Sequence, residues 1–263
     1  MQFLGFDKND IFLTYNLWKM NLRDRYLGSY LGLVWAVLQP AFLLTLYTFV
    51  FGIVLKTQPV GINSPIAYVI WMFSGLIPYL VFSEAITSSA NSLVTNATLI
   101  KNIVFKSETI PIASVFNAVV PLVVGFIFIV ILMFIDRETP SLLLLLLIPI
   151  ITLQFIFLIG VGYLLSATTV FFRDIVQFIP TFTMALLFAT PIFYTVGSMP
   201  AIIARVTFYN PLYQMVQPYR DIIVSHQMPD LFGLLYFGIL SVFFLVVGLL
   251  YFRKLKGFFE MVL

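Results

Sequence analysis

The sequence predicts an all-α integral membrane protein: six transmembrane helices, an N-terminal amphipathic helix in the interface, and re-entrant short helices before the last span. Three observations predict it. The 263 residues are 61% apolar and only 10% charged, where a soluble domain carries about a quarter charged residues. Mean hydropathy is +1.06, so the chain cannot bury its apolar residues and still cover itself with polar surface. Six segments each hold the ~20 mostly apolar residues that a bilayer-crossing helix needs at 1.5 Å rise per residue.

The spans run Tyr30 to Leu55, Pro65 to Ala90, Pro111 to Ile135, Leu142 to Phe171, Ile175 to Tyr194 and Leu231 to Phe252. The sixth carries no charge. The second is the weakest, because Gly75, Pro78 and Glu84 interrupt it. Breaker residues separate the spans at Gln58-Pro59-Val60-Gly61, at Asp136-Arg137-Glu138-Thr139-Pro140 and at Met228-Pro229-Asp230. Residues 1–263 read as a single transmembrane domain: an interfacial helix in 1–29, the bundle in 30–252, and a tail in 253–263. The opening Asp7, Lys8, Asn9 and Asp10 do not fit a cleaved signal peptide.

An even span count puts both termini on one side, and the positive-inside rule makes that side cytoplasmic. The inner connections then hold Lys8, Lys19, Arg23, Arg25, Lys101, Lys106, Arg173, Arg253, Lys254 and Lys256. The outer ones hold only Lys56, Arg137, Arg205 and Arg220.

Two segments are neither loop nor span. Between Ile11 and Tyr26, a 3.6-residue period aligns Ile11, Tyr15, Trp18, Leu22 and Tyr26 on one stripe, with Lys19, Arg23, Asp24 and Arg25 outside it. That pattern suits a helix at headgroup depth. Between Gly197 and Ser225, Pro200, Pro211 and Pro218 cut a polar but aromatic-rich stretch into pieces of about ten residues, the length of re-entrant helices.

Missing chemistry excludes several classes. There is no cysteine, hence no disulfide or thiolate. No G-x-x-x-x-G-K-[ST] phosphate loop and no His/Cys ligand cluster occurs, so no metal site is expected. His226, the one histidine, reads as an exposed loop residue. Glu84 is the one carboxylate clearly inside a span, near its inner end; it either serves function or pairs with Lys101 or Arg173. Gly28, Gly32 and Ala36 form a small-residue stripe that would permit close helix approach, either between subunits or within one. Trp35, Gln39, Phe42 and Phe49 share one side of the first span, and Phe178, Phe182 and Phe193 one side of the fifth. Such faces suit either lipid or a pathway on which sugar rings stack. No matched halves of the kind seen in many secondary transporters are present.

The run from Arg23 to Pro40, Arg-Asp-Arg-Tyr-Leu-Gly-Ser-Tyr-Leu-Gly-Leu-Val-Trp-Ala-Val-Leu-Gln-Pro, resembles the approach to the first span in ABC-2 family transporter permeases, in their branch exporting O-antigen, teichoic acid and capsule. Three further stretches agree in order: Asn102-Ile103-Val104-Phe105 before Ile110-Pro111; Phe171-Phe172-Arg173-Asp174-Ile175 before Thr190-Pro191-Ile192-Phe193-Tyr194; and Tyr209-Asn210-Pro211-Leu212-Tyr213 before Tyr219-Arg220-Asp221. Lys106 and Ser107 follow Phe105 where family members often carry proline.

The resemblance implies a non-enzymatic permease of the bacterial inner membrane. It would pair with a second copy and with two ABC ATPase subunits, which would hold the ATP and Mg; this chain would bind no cofactor and no nucleic acid. The cargo would be a glycan on a polyprenyl pyrophosphate lipid. Lys19, Lys101, Asn102, Phe105, Lys106 and Glu108 would meet the ATPase, and Tyr209, Asn210, Pro211 and Tyr213 would form an outer gate. Two bundles can enclose a polymer-wide pore that six helices alone cannot. Arg23 and Arg25 stand at headgroup depth, either as anchors or as a two-pronged clamp on pyrophosphate. A permease for a drug or other small amphiphile, and a membrane-embedded lipid-sugar transferase, are the competing readings.

Overall fold

The computed structural model describes residues 7–26, 29–32, 34–54, 65–103, 105–137 and 141–263. Its helices are α1 (Lys8–Tyr26), α2 (Val34–Tyr47), α3 (Pro65–Ala90), α4 (Ser92–Thr95), α5 (Ala97–Asn102), α6 (Thr109–Val115), α7 (Val119–Ile135), α8 (Leu147–Phe171), α9 (Ile175–Ala189), α10 (Ala201–Phe208), α11 (Pro211–Ile223), α12 (Leu231–Leu255) and α13 (Phe259–Val262). Among the described residues, four stretches are long and apolar enough to cross a membrane: Ile66–Ala90, Thr109–Ile135, Leu142–Phe171 and Leu231–Val262. Val34–Val50 and Ile175–Ala189 are shorter apolar helices at the positions of the first and fifth expected spans. Among the described residues no strand occurs.

The segment that looks weakest in sequence is the centre of the fold. In its most apolar window α3 is 78% buried inside the protein, against 28–33% for the other three long stretches. Helices α6, α7, α8, α9 and α11 all pack on α3, and Phe73, Leu76, Ile77 and Val81 are sealed. A helix surrounded by protein does not need a continuous apolar face toward lipid, so it tolerates Gly75, Pro78 and Glu84. Gln154 on α8 donates its amide N–H to the Pro78 carbonyl (2.9 Å) and accepts the Tyr219 hydroxyl of α11. Inside an apolar bundle such satisfied polar links specify which helices meet.

Helices α8 and α12 pack backbone against backbone at two glycines. A Cβ on Gly248 would lie 2.2 Å from the Gly160 carbonyl oxygen, and one on Gly160 would lie 2.4 Å from the backbone of Phe244 and Leu245. Only glycine allows this approach, the mode by which helices associate where lipid removes the hydrophobic drive. The small-residue stripe expected at the first span shows no such approach within this chain at Gly32 among the described residues. Gly28 lies outside the described residues. Gly32 precedes the helix, in a turn at φ +51°, and among the described residues no atom beyond its chain neighbours lies within 4 Å of where a Cβ would stand. Its glycine therefore answers a backbone requirement.

Three boundaries differ from expectation. The sequence predicts the first span as one helix from Tyr30, but α2 starts at Val34 and becomes π-helical over Thr48–Val54. The Thr45 and Thr48 hydroxyls there donate back to the Ala41 and Leu44 carbonyls, an arrangement that bends helices. The expected end of that span, Leu55, and the turns at 58–61 and 138–140 lie outside the described residues. Helix α9 stops at Ala189, and Thr190 to Tyr194 form a separate turn. The 253–263 tail is not separate: α12 runs to Leu255, and Phe259 of α13 is buried against Phe252, ring centroids 5.2 Å apart.

Candidate functional site

Helix α1 lies against α6. Its buried side is Leu17, with Leu13, Thr14, Trp18, Asn21 and Leu22 half-buried, while Ile11 and Tyr15 are exposed. The predicted stripe is thus divided, Ile11 and Tyr15 facing outward and Trp18 and Leu22 turning toward the protein; the Tyr26 side chain lies outside the described residues. Periodicity locates apolar residues on a helix but does not decide which of two apolar faces the protein covers.

Charged pairs bind α1, the 91–110 connection and the C-terminal end together. Lys106 donates to Asp10 at 2.5 Å, and this ammonium, with the Asp7 backbone, holds the Asp10 carboxyl below the usual carboxylate range. Glu108, only 6% exposed, meets Lys256 at 2.8 Å and Arg253 at 3.7 Å. Two residues expected on a partner-facing surface, Lys106 and Glu108, are therefore engaged within the chain, and Glu108 is buried. Lys19, Lys101 and Asn102 are exposed and Phe105 is half-buried.

At the same end, α1, α2, α3 and the start of α7 enclose a cavity of about 220 Å³. Gln39 of α2, Ser83, Glu84 and Thr87 of α3, Asn117 before α7, and Arg25 of α1 line it. By helical spacing Thr87 neighbours both Ser83 (i, i+4) and Glu84 (i, i+3) on α3. Arg25 holds Glu84 through both guanidinium Nη groups, one to each carboxylate oxygen. Neither Lys101 nor Arg173, the partners expected for Glu84, takes this role. Arg23, two residues earlier on the helix, is exposed. The Asn117 amide donates to the Ser88 hydroxyl at 2.7 Å, while its buried Oδ1 has no partner among the described residues.

The aromatic faces divide. Trp35, Gln39, Phe42 and Phe49 are exposed along α2 and its π-helical end, as are Phe178 and Phe182 on α9, whose rings stack at 5.6 Å. Phe193 lies beyond the end of α9 and is buried, stacked on Tyr47 at 5.2 Å. It leaves the face it was assigned because the chain turns at Thr190-Pro191, where proline cannot continue the helical hydrogen bonding.

The segment from Gly197 to Ser225 forms two short helices, α10 and α11. Asn210 caps α11 by accepting from the Leu212 N–H at 2.9 Å, and Pro211 takes the first helical position. Tyr209 is exposed, its carbonyl accepting from the Tyr236 hydroxyl at 2.9 Å, and Tyr213 is half-buried. Arg220, assigned above to an outer connection, is buried instead. Its Nη1 and Nη2 donate to the Pro191 and Ile192 carbonyls at 2.7 and 2.6 Å, and its Cζ sits 4.3 Å from the Trp71 ring centre. The guanidinium passes over Gly75, where an added Cβ would lie 2.7 Å from Nη2. Arg220 therefore ties α11 and the turn after α9 to the central helix.

Sequence reasoning passed over Trp71, Asn117, Gln154, the packing role of Gly75 and the buried role of Arg220. For Asn117 and Gln154 a signal existed, an amide inside an apolar run. For Arg220 none did, since an arginine near a loop reads as solvated.

Comparisons with known proteins complete the picture. The ABC-2 type transporter family matches residues 13–224. An O-antigen export system permease protein RfbA of Klebsiella pneumoniae is 32% identical over 244 residues, covering 90% of this chain and 89% of the relative. Another from Myxococcus xanthus is 26% identical over 220 residues, covering 83% and 82%. The polysialic acid transport protein KpsM of Escherichia coli is 23% identical over 239 residues, covering 90% and 91%.

Proposed function

The chain belongs to the ABC-2 type transporter family, and from that premise we propose that it is the permease subunit of an ATP-driven exporter for a lipid-linked, O-antigen-like polysaccharide. The observation that carries this reading is the 32% identity to an O-antigen export permease along nine-tenths of both chains. ATP would be bound by separate ABC ATPase subunits, consistent with the absence of a phosphate loop in the sequence. Two copies of this chain in the bacterial inner membrane, each crossing six times with termini in the cytoplasm, would flank one pathway.

In that arrangement Trp35, Gln39, Phe42, Phe49, Phe178 and Phe182 line the glycan route, where exposed aromatic rings offer stacking platforms. Lys19, Lys101, Asn102 and Phe105 meet the ATPase, on a platform that the Lys106–Asp10 and Glu108–Lys256 pairs make rigid. Tyr209, Asn210, Pro211 and Tyr213 sit in the outer gate. Arg23 and Arg25 receive the pyrophosphate of the lipid carrier, for which paired donors on one planar group are well matched.

The test is complementation. A host lacking its own permease of this type, given this chain with the ATPase encoded beside it, should regain surface polysaccharide. Purified alone, the chain should turn over no ATP. Surface display unchanged by loss of the chain, or ATP turnover by the chain alone, would overturn the reading.

A further inference from the structure

We propose that Glu84 is an exchangeable stand-in for substrate phosphate: in the cavity between α1, α2, α3 and α7 its carboxylate occupies the Arg25 fork that a diphosphate group takes when the lipid-linked substrate loads. The inference rests on the permease reading above and adds the residue that competes with the substrate.

The geometry supports exchange over a fixed structural bridge. Arg25 addresses Glu84 with two Nη donors, the same planar fork that binds a phosphate through two oxygens. The pair is not sealed: the Arg25 side chain is 40% exposed and that of Glu84 21%. A solvent-screened pair of this kind is held weakly, so a doubly charged oxyanion can replace the carboxylate at small cost. The pair also opens onto a cavity of about 220 Å³, large enough for a diphosphate. Around it, Ser83 and Thr87 supply hydroxyls and Gln39 an amide, all capable of donating to phosphate oxygens.

A second observation points to a ligand. Asn117, 7% exposed, lines the same cavity with its Oδ1 unpartnered among the described residues. A buried acceptor without a donor is costly, and a hydroxyl on a sugar next to the diphosphate supplies the missing donor. The site thus offers donors for an oxyanion and an acceptor for a hydroxyl, the two halves of a sugar diphosphate.

The experiment uses the full chain in nanodiscs of uncharged lipid and measures binding of farnesyl diphosphate by titration calorimetry, with inorganic pyrophosphate as the comparison. Glu84→Gln removes the competing charge and keeps the shape. It should bind farnesyl diphosphate more tightly than the wild type, by up to about fivefold, the range expected for releasing one weak, solvent-screened ion pair. Arg25→Gln should lose binding, and Arg25→Lys should weaken it even where Arg25→Gln fails to fold. The double variant Glu84→Gln/Arg25→Gln should show no gain. Equal enhancement for inorganic pyrophosphate assigns the site to phosphate in general; enhancement for farnesyl diphosphate alone assigns it to the lipid headgroup, and both support exchange. A purely structural bridge predicts the opposite pattern: Glu84→Gln melts earlier and binds farnesyl diphosphate no better. That result overturns the exchange even if the wild type exports glycan, whereas loss of export by the wild type overturns only the permease reading.

Discussion

The Arg220 hub gives a prediction whose size follows from the structure. In Gly75→Ala a methyl group would stand 2.7 Å from Nη2 and 3.2 Å from Cζ and Nε of Arg220. The guanidinium cannot swing away freely, because Pro191, Ile192 and Trp71 hold it on three sides. Displacing it forfeits at least one hydrogen bond from a charged donor, about 1.5–3 kcal/mol. Alanine in a helix interior returns about 0.5–1 kcal/mol relative to glycine. The net cost of Gly75→Ala is therefore roughly 1–2 kcal/mol. In an Arg220→Met background the obstacle is gone, and the same Gly75→Ala change should stabilise by about 0.5–1 kcal/mol. The coupling between the two positions is then about 2 kcal/mol, well above the ~0.5 kcal/mol scatter of independent sites. Unfolding free energies of the four proteins, from SDS titration in mixed micelles, close the cycle. Additive effects within that scatter would show that Gly75 is glycine for some reason other than the passage of Arg220.

Three further outcomes follow. Gly248→Ala drives a methyl to 2.2 Å from the Gly160 carbonyl oxygen and should cost about 1–3 kcal/mol, whereas Gly238→Ala, with nearest carbons at 3.9 Å, should be neutral or slightly stabilising in the same titration. Trp35→Ala and Phe182→Ala remove exposed rings and should leave stability within about 0.5 kcal/mol while lowering glycan export with ATPase assembly intact; normal export by both would return these rings to lipid-facing bulk. The chain has no native cysteine, so single cysteines at the exposed Ser198 and Ser225 should react with a membrane-impermeant maleimide added outside intact cells, and labelling only after lysis would invert the proposed orientation.

The sequence by itself determined where apolar helices lie and what chemistry the chain lacks. The segments Pro65 to Ala90 and Leu142 to Phe171 are read correctly to the residue, because a run of some 20 apolar residues is a property of the local chain alone. The resemblance carried by Arg23 to Pro40 and by Tyr209 to Tyr213 likewise needs no structure to be legible, and the family match agrees with it. Only the tertiary structure decided which of those helices is central, and which charges are bound. Glu84 found Arg25, 59 positions away, and Glu108 found Lys256, 148 positions away. Arg220 left the solvent for Trp71 and two carbonyls, and two glycines far apart in the chain, Gly160 and Gly248, let α8 and α12 meet backbone to backbone. Each of these depends on a partner distant along the chain, and periodicity, charge and propensity describe only a residue and its near neighbours. Whether a polar side chain is a liability or a fastening depends on what packing sets opposite it.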